Sequence, residues 1–198
     1  MRAAIAAVLL FILGGCSTQP QQLTREEFLK VARRDYPGIT PEQLYAAAEK
    51  LFRLSDGDDY SFTYTQATMT AQRRWSFYFV LAAGFGTDLW KLSATDKEGG
   101  AEASVDVSST ASQALGVTTV GGYGGTALYD LFWSRMDYLL GVSNHWMTCD
   151  ESAQRIKTGA VWGSNAPLCD SLTVADNPPE ELAGVIKKKR PSSPSPNP

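Results

Sequence analysis

Ala101-Glu102-Ala103-Ser104-Val105-Asp106-Val107-Ser108 alternates without a break, small or apolar residues at the odd positions and polar or charged ones at the even positions. A period of two belongs to a strand with one face buried and the other in water. Just upstream, Lys97-Glu98-Gly99-Gly100 has the composition of a hairpin turn. Before it, Thr87 to Thr95 places Trp90, Leu92 and Ala94 on one face. Further back, Arg74 to Ala83 carries the run WSFYFVLAA, which predicts one strand buried on both faces, and Tyr60 to Thr65 alternates again through Tyr60, Phe62 and Tyr64. Four consecutive strands with short connections predict an antiparallel meander.

Helical signals flank these strands. Thr24-Arg25-Glu26-Glu27 reads as a capping box, with Phe28, Leu29, Val31 and Ala32 as the apolar positions of a helix ending before Pro37-Gly38. Thr40-Pro41-Glu42-Gln43 opens a second helix, with proline where its missing N–H costs nothing. Leu44, Ala47, Ala48, Leu51 and Phe52 follow at helical spacing, and Ser55-Asp56-Gly57 closes the segment. Past a weakly patterned stretch, Leu128, Leu131, Phe132, Met136, Leu139 and Leu140 mark one long helix capped at Gly141. Thr148-Cys149-Asp150-Glu151 starts a short helix to about Lys157, and Trp162 to Cys169 loops back. The expected fold class is α+β: a roughly four-stranded meander packed by N-terminal helices and one long C-terminal helix. From Asn177 the chain is rich in Pro and Ser, and KKKRPSSPSPNP has the composition of a disordered tail.

The first residues give an address. Met1-Arg2 precedes an apolar run from Ala3 to Leu13. A membrane-spanning helix needs about 20 apolar residues, so this run is too short and reads as a secretory signal. Leu13-Gly14-Gly15-Cys16 resembles the lipobox of bacterial lipoproteins, with Ser17-Thr18-Gln19 after it. The resemblance implies cleavage after Gly15, diacylglycerol on the Cys16 sulfur and a further acyl chain, such as palmitate, on the new amino group. Resemblance to lipoproteins of Gram-negative bacteria adds that Ser17 stands where retention at an inner membrane would usually show Asp, so the expected destination is the outer membrane, facing the periplasm. A Gram-positive source would put the same domain on the outer face of its only membrane. The domains expected are a cleaved signal peptide over 1–15, a lipidated tether over 16–23, one α+β domain over 24–176 and the tail over 177–198.

Loss of Arg2 with the leader leaves 17 basic against 21 acidic residues. Four of the basic ones are Lys187, Lys188, Lys189 and Arg190 in the tail, so the rest of the chain holds 13 against 21. An acidic body excludes nucleic acid as the natural partner, since that needs a basic footprint. The hydrophobic fraction of 43% suits a globular domain. In an oxidising compartment Cys149 and Cys169 are expected to form one disulfide, stapling the C-terminal loop. A metal pair lacks partners, because His145 is the sole histidine and there is no CxxC.

The remaining constellations have plain explanations beside their chemical ones. Gly121-Gly122-Tyr123-Gly124-Gly125 before a helix offers amides to an anion or serves as a connector, and it lacks the Lys-Ser/Thr of a P-loop. Asp56-Gly57-Asp58-Asp59 offers oxygens to calcium or turns a helix into a strand. His145 is the only imidazole available to a Ser or Cys nucleophile, and no GxSxG accompanies it. Glu102 and Asp106 lie two positions apart along the polar face of a strand, where solvated charge is the simple reading. The KKKR tail either touches anionic headgroups or solvates the end.

Aromatics carry more weight. Tyr129, Trp133 and Arg135 sit off the main stripe of the long helix and are residue types enriched at interface hot spots, so they are the expected partner or ligand surface. No catalytic residue, cofactor or metal site is assigned. The functional expectation is a non-enzymatic, lipid-anchored accessory or assembly factor binding an envelope protein. It is similar in outline to accessory subunits of outer-membrane assembly and secretion machines, a fold-level analogy. The alternative is a module for an apolar ligand held between sheet and helix by Trp75, Phe77, Trp90 and Phe132. An envelope hydrolase stands third.

Overall fold

The computed structural model describes residues 23–56, 59–79, 82–113, 118–170 and Asp176. Helix α1 (Arg25–Ala32) leads into strand β1 (Arg33–Pro37), followed by helix α2 (Pro41–Asp56). Strands β2 (Tyr60–Tyr64), β3 (Thr68–Phe79), β4 (Ala82–Lys97), β5 (Gly100–Gln113) and β6 (Thr118–Gly122) come next. Helices α3 (Ala127–Leu139), α4 (Cys149–Lys157) and α5 (Ala166–Cys169) complete the order. The sheet is antiparallel and runs β1-β5-β4-β3-β2, with β6 also on β5. β1 pairs with Gly100–Ser104 and β6 with Ser108–Ser112, so the two short strands share one edge of β5.

The expected meander is present as β2-β3-β4-β5, turning at Glu98 and Gly99 as the composition predicts. Trp90, Leu92 and Ala94 share the buried face with Ala101, Ala103, Val105 and Val107. Four expectations change. Arg74 to Ala83 is not one strand: β3 ends at Phe79 and β4 begins at Ala82, and the residues between, Val80 and Leu81, include no Gly or Pro to mark the boundary. Nor is that run buried on both faces, since Tyr78 is 85% exposed. The first helix stops at Ala32, and Arg33–Pro37 pairs with β5. Tyr36 decides this locally, being 2% exposed and donating from its hydroxyl to Asp137 Oδ1 at 2.9 Å. The weakly patterned stretch after Ser108 is the far half of β5 and all of β6, giving six strands where four were expected.

The caps behave as their residues suggest. Thr24 and Glu27 form both halves of a capping box, and Thr40 with Gln43 forms another. The Thr148 side chain accepts the Glu151 N–H at the start of α4. Gly141, at φ 73°, lies just past α3 as a C-terminal cap.

Helices cover one face of the sheet. Leu44, Ala48, Leu51 and Phe52 of α2, with Leu128, Leu131, Phe132 and Met136 of α3, pack over Met69, Ala71, Trp90, Leu92, Ala103 and Val105. Each large side chain fully buried there contributes about 1.5–3 kcal/mol. Trp90 stacks on Phe132 at 5.4 Å and meets Phe52 at 5.0 Å. Its indole nitrogen is buried without an acceptor among the described residues.

Cys149 and Cys169 are joined by a disulfide, as the cysteine count predicts. Arg135 of α3, 1% exposed, organises that lobe: Nε donates to the Met147 carbonyl at 3.0 Å and Nη2 to Asp176 Oδ1 at 2.8 Å. Burial lowers the proton affinity of Arg135, and Asp176 opposes that shift. Gly125, at φ 101°, makes an isolated bridge to Gly163; a Cβ on Gly125 would lie 2.3 Å from the Trp162 carbonyl oxygen. Close backbone approach therefore explains this glycine of the Gly121–Gly125 run. Among the described residues no helix is long and apolar enough to cross a membrane.

Candidate interaction surface

The sheet has two unlike halves. Near the turn after Lys97 it carries Asp35, Asp96, Lys97, Glu98 and Glu102, with Lys97 bridging Asp35 at 2.9 Å and Glu102 at 2.7 Å. Toward the opposite end the charges stop. No Asp, Glu, Lys or Arg occurs from Trp75 to Thr87, nor from Val107 to Tyr129. Register brings those two stretches together, because Trp75 pairs with Gly86, Gly86 with Ala111 and Ala111 with Thr119. Four adjacent strands therefore form one uncharged half-sheet.

On the inner face this half is locked at its base. Asp88, 0% exposed, accepts from Arg73 Nη2 at 2.9 Å, Trp75 Nε1 at 3.2 Å, Ser109 Oγ at 2.9 Å and Tyr123 Oη at 2.7 Å. An ionised carboxylate offers about four acceptor sites, so these donors fill it. Arg73 also reaches Asp170 at 2.7 Å, tying the disulfide-bonded segment to the sheet. Burial alone would lower the proton affinity of Arg73, but the hydrogen bond to Asp170 and the neighbouring Tyr60, Asp170 and Asp88 hold it above its ordinary value. Burial raises the Tyr123 hydroxyl well above the usual tyrosine range; the Ser109 bond opposes that and Asp88 adds to it. A buried carboxylate held by four donors, one of them a guanidinium fixed by Asp170, is a rivet between the strands. Trp75 lies across Gly86, where a Cβ would sit 2.2 Å from Cζ2 of the indole. Further out the helical layer ends, and Thr119 is exposed even on the inner face.

The outer face is open. Leu89 is 39% exposed, Phe85 60% and Tyr78 85%. Phe85 and Leu89 lie four positions apart on β4, and Tyr78 pairs with Ala83, which makes it a diagonal neighbour of Phe85. Gln72, Arg74, Thr87, Lys91, Asp106, Ser108 and Thr110 surround Leu89 on the same face. An apolar centre with a polar rim on a rigid support is the usual anatomy of a transient protein interface.

The surface expected on the long helix is not there. Tyr129, Trp133 and Arg135 are 2%, 4% and 1% exposed. Tyr129 meets Phe28 edge-on at 5.8 Å, and Trp133 Nε1 donates to the Val31 carbonyl at 2.8 Å. Docking of α1 and of the disulfide-bonded lobe onto the flanks of α3 consumes those positions. The apolar-ligand arrangement is likewise filled at Trp90 and Phe132, which are 0% exposed and packed on Phe52, while Trp75 is turned to Asp88. The side chain of Phe77 lies outside the described residues. His145 is exposed and contacts Glu151 at 2.8 Å. Glu102 is part of the ion pairs with Lys97 and Arg33, and Asp106 is exposed. No group of three His, Cys, Asp or Glu suited to a metal occurs among the described residues. Part of Asp56–Asp59, Cys16 and the Lys187–Arg190 cluster lie outside them.

Reading for aromatics on helices missed the outer face. The signal was the charge gap: two uncharged stretches, each spanning the approach to a hairpin turn. No protein-family model, curated protein or solved structure matches the chain.

Proposed function

We propose that this chain is an exported lipoprotein, held by acyl chains on Cys16, whose domain acts without catalysis as an accessory factor of the outer membrane. The protein partner meets the open outer face of the sheet around Leu89. The observation that carries this reading is Leu89, 39% exposed among polar residues of the outer face and backed by the Asp88 rivet. Such a surface is preorganised, so little ordering is needed on binding. The lipobox-like residues Leu13-Gly14-Gly15-Cys16 and the disulfide both suit an exported, oxidised setting.

The test is site-specific photocrosslinking in intact envelopes from Leu89, with Lys50 on α2 as the control position. The expected result is one discrete crosslinked band from a probe at position 89 and the same band from a probe at its neighbour Gln72, the latter lost when Leu89→Asp is introduced. Equal, diffuse crosslinking from both positions contradicts a partner at this face. The filled packing at Trp90 and Phe132 gives the apolar-ligand alternative no support.

A further inference from the structure

We infer that the uncharged end of the sheet rests on the lipid bilayer, with Tyr78 and Phe85 in the headgroup and upper acyl region. This rests on the proposed lipid anchor at Cys16.

Three observations point to lipid. The first is the leash: seven residues separate Cys16 from Thr24, and the eight Cα-to-Cα steps span at most about 29 Å fully extended. β4 alone, at 16 residues, is about 50 Å long. The leash is shorter than the sheet, and it holds the start of the domain within about 29 Å of the membrane, close enough for one of its surfaces to rest there. The second is charge. Asp35, Asp96, Glu98 and Glu102 outnumber the basic residues around the opposite end, which anionic headgroups repel and an interface would have to desolvate. The uncharged end has neither cost. The third is side-chain type. Tyr78 and Phe85 are large, exposed and lie near the ends of β3 and β4, and tyrosine is enriched where membranes meet water.

Depth separates this contact from the partner surface. Tyr78 is one residue from the end of β3 and Phe85 three from the start of β4, about 3 and 10 Å along the strands. Interfacial elements bury about 5–10 Å. Leu89 is seven residues from the start of β4, about 23 Å, and stays above the headgroups. Lipid contact therefore orients the domain and leaves the face around Leu89 open to a partner.

The test uses the acylated protein in vesicles of phosphatidylethanolamine and phosphatidylglycerol with nitroxide-bearing acyl chains. With Cys149 and Cys169 bonded to each other and Cys16 acylated, Tyr78→Cys and Glu98→Cys each provide one site for an environment-sensitive dye. The expected result is emission at position 78 that is blue-shifted and about twofold dimmer with nitroxide lipid, as burial of about 5–10 Å requires, with position 98 unchanged. Adding Phe85→Asp should reduce the quenching at 78. Vesicle-bound protein with no quenching at 78 overturns the contact and leaves the anchor standing. A blue shift without quenching overturns it in favour of a second copy or another protein. Equal quenching at 78 and 98 overturns the orientation. Protein that does not stay with the vesicles removes both the anchor and the contact.

Discussion

Asp88 on β4 accepts a 2.7 Å hydrogen bond from the hydroxyl of Tyr123, which lies just past β6, so the bond passes over β5. With Arg73 on β3 paired to the other carboxylate oxygen, one buried side chain ties together the strands that carry the open face. The rigidity of the proposed surface depends on it.

Asp88→Ala removes one of the two carboxylates paired with buried Arg73, together with the acceptor of the Trp75, Ser109 and Tyr123 donors. Removing one partner of a buried pair costs about 3–5 kcal/mol, and the low end is expected because Asp170 remains. Urea unfolding should show this loss, with Tyr123→Phe costing only about 1 kcal/mol. An Asp88→Ala loss no larger than that of Tyr123→Phe would show that the rivet is not a shared structure.

The disulfide closes a separation of 20 residues, for which chain entropy gives about 3 kcal/mol. Cys149→Ala with Cys169→Ala should lower the free energy of unfolding in urea by that amount at unchanged secondary structure in circular dichroism. Collapse of the whole fold would mean that the lobe nucleates the core.

Burial, with a smaller contribution from Asp106, pushes the Tyr129 hydroxyl up to about 12. In the unfolded chain it ionises near pH 10, so the folded state holds its proton longer. Its contribution to stability is fully present below about pH 10 and is lost as pH rises toward about 12. Unfolding midpoints followed across that window should fall less steeply in Tyr129→Phe than in the wild type. Parallel curves would remove Tyr129 from the alkaline transition.

Gly86→Ala places a methyl group into the Trp75 ring and 2.4 Å from the Thr110 carbonyl oxygen. Overpacking of this kind costs about 1–3 kcal/mol. Tryptophan emission should shift to the red as the indole leaves Asp88, and an unchanged spectrum at full stability would contradict the packing described.

Much of this architecture was legible because its signals are local. The alternation of Ala101 to Ser108, the turn at Lys97–Gly100, the three threonine caps and the cysteine pair each act within a few residues. What stayed hidden depends on distant partners. Tyr36 belongs to a strand because β5 and Asp137 receive it, and α1 yields to that pairing after one polar stretch. The residues between β3 and β4, Val80 and Leu81, are not Gly, Pro, Asn or Asp, so two paired strands read as one long strand. For the site, residue type alone placed the surface on α3, whose aromatics are consumed by α1 and the disulfide-bonded lobe. The exposed stripe instead follows from register, which sequence periodicity cannot align between strands.

The most direct test of the central proposal is intact mass and membrane fractionation of the protein from its native envelope, beside Cys16→Ser. The account predicts a wild-type chain that begins at Cys16, carries the mass of diacylglycerol and an added acyl chain, and pellets with membranes, while the variant is released. An unmodified chain, or a variant that pellets with membranes as the wild type does, contradicts it.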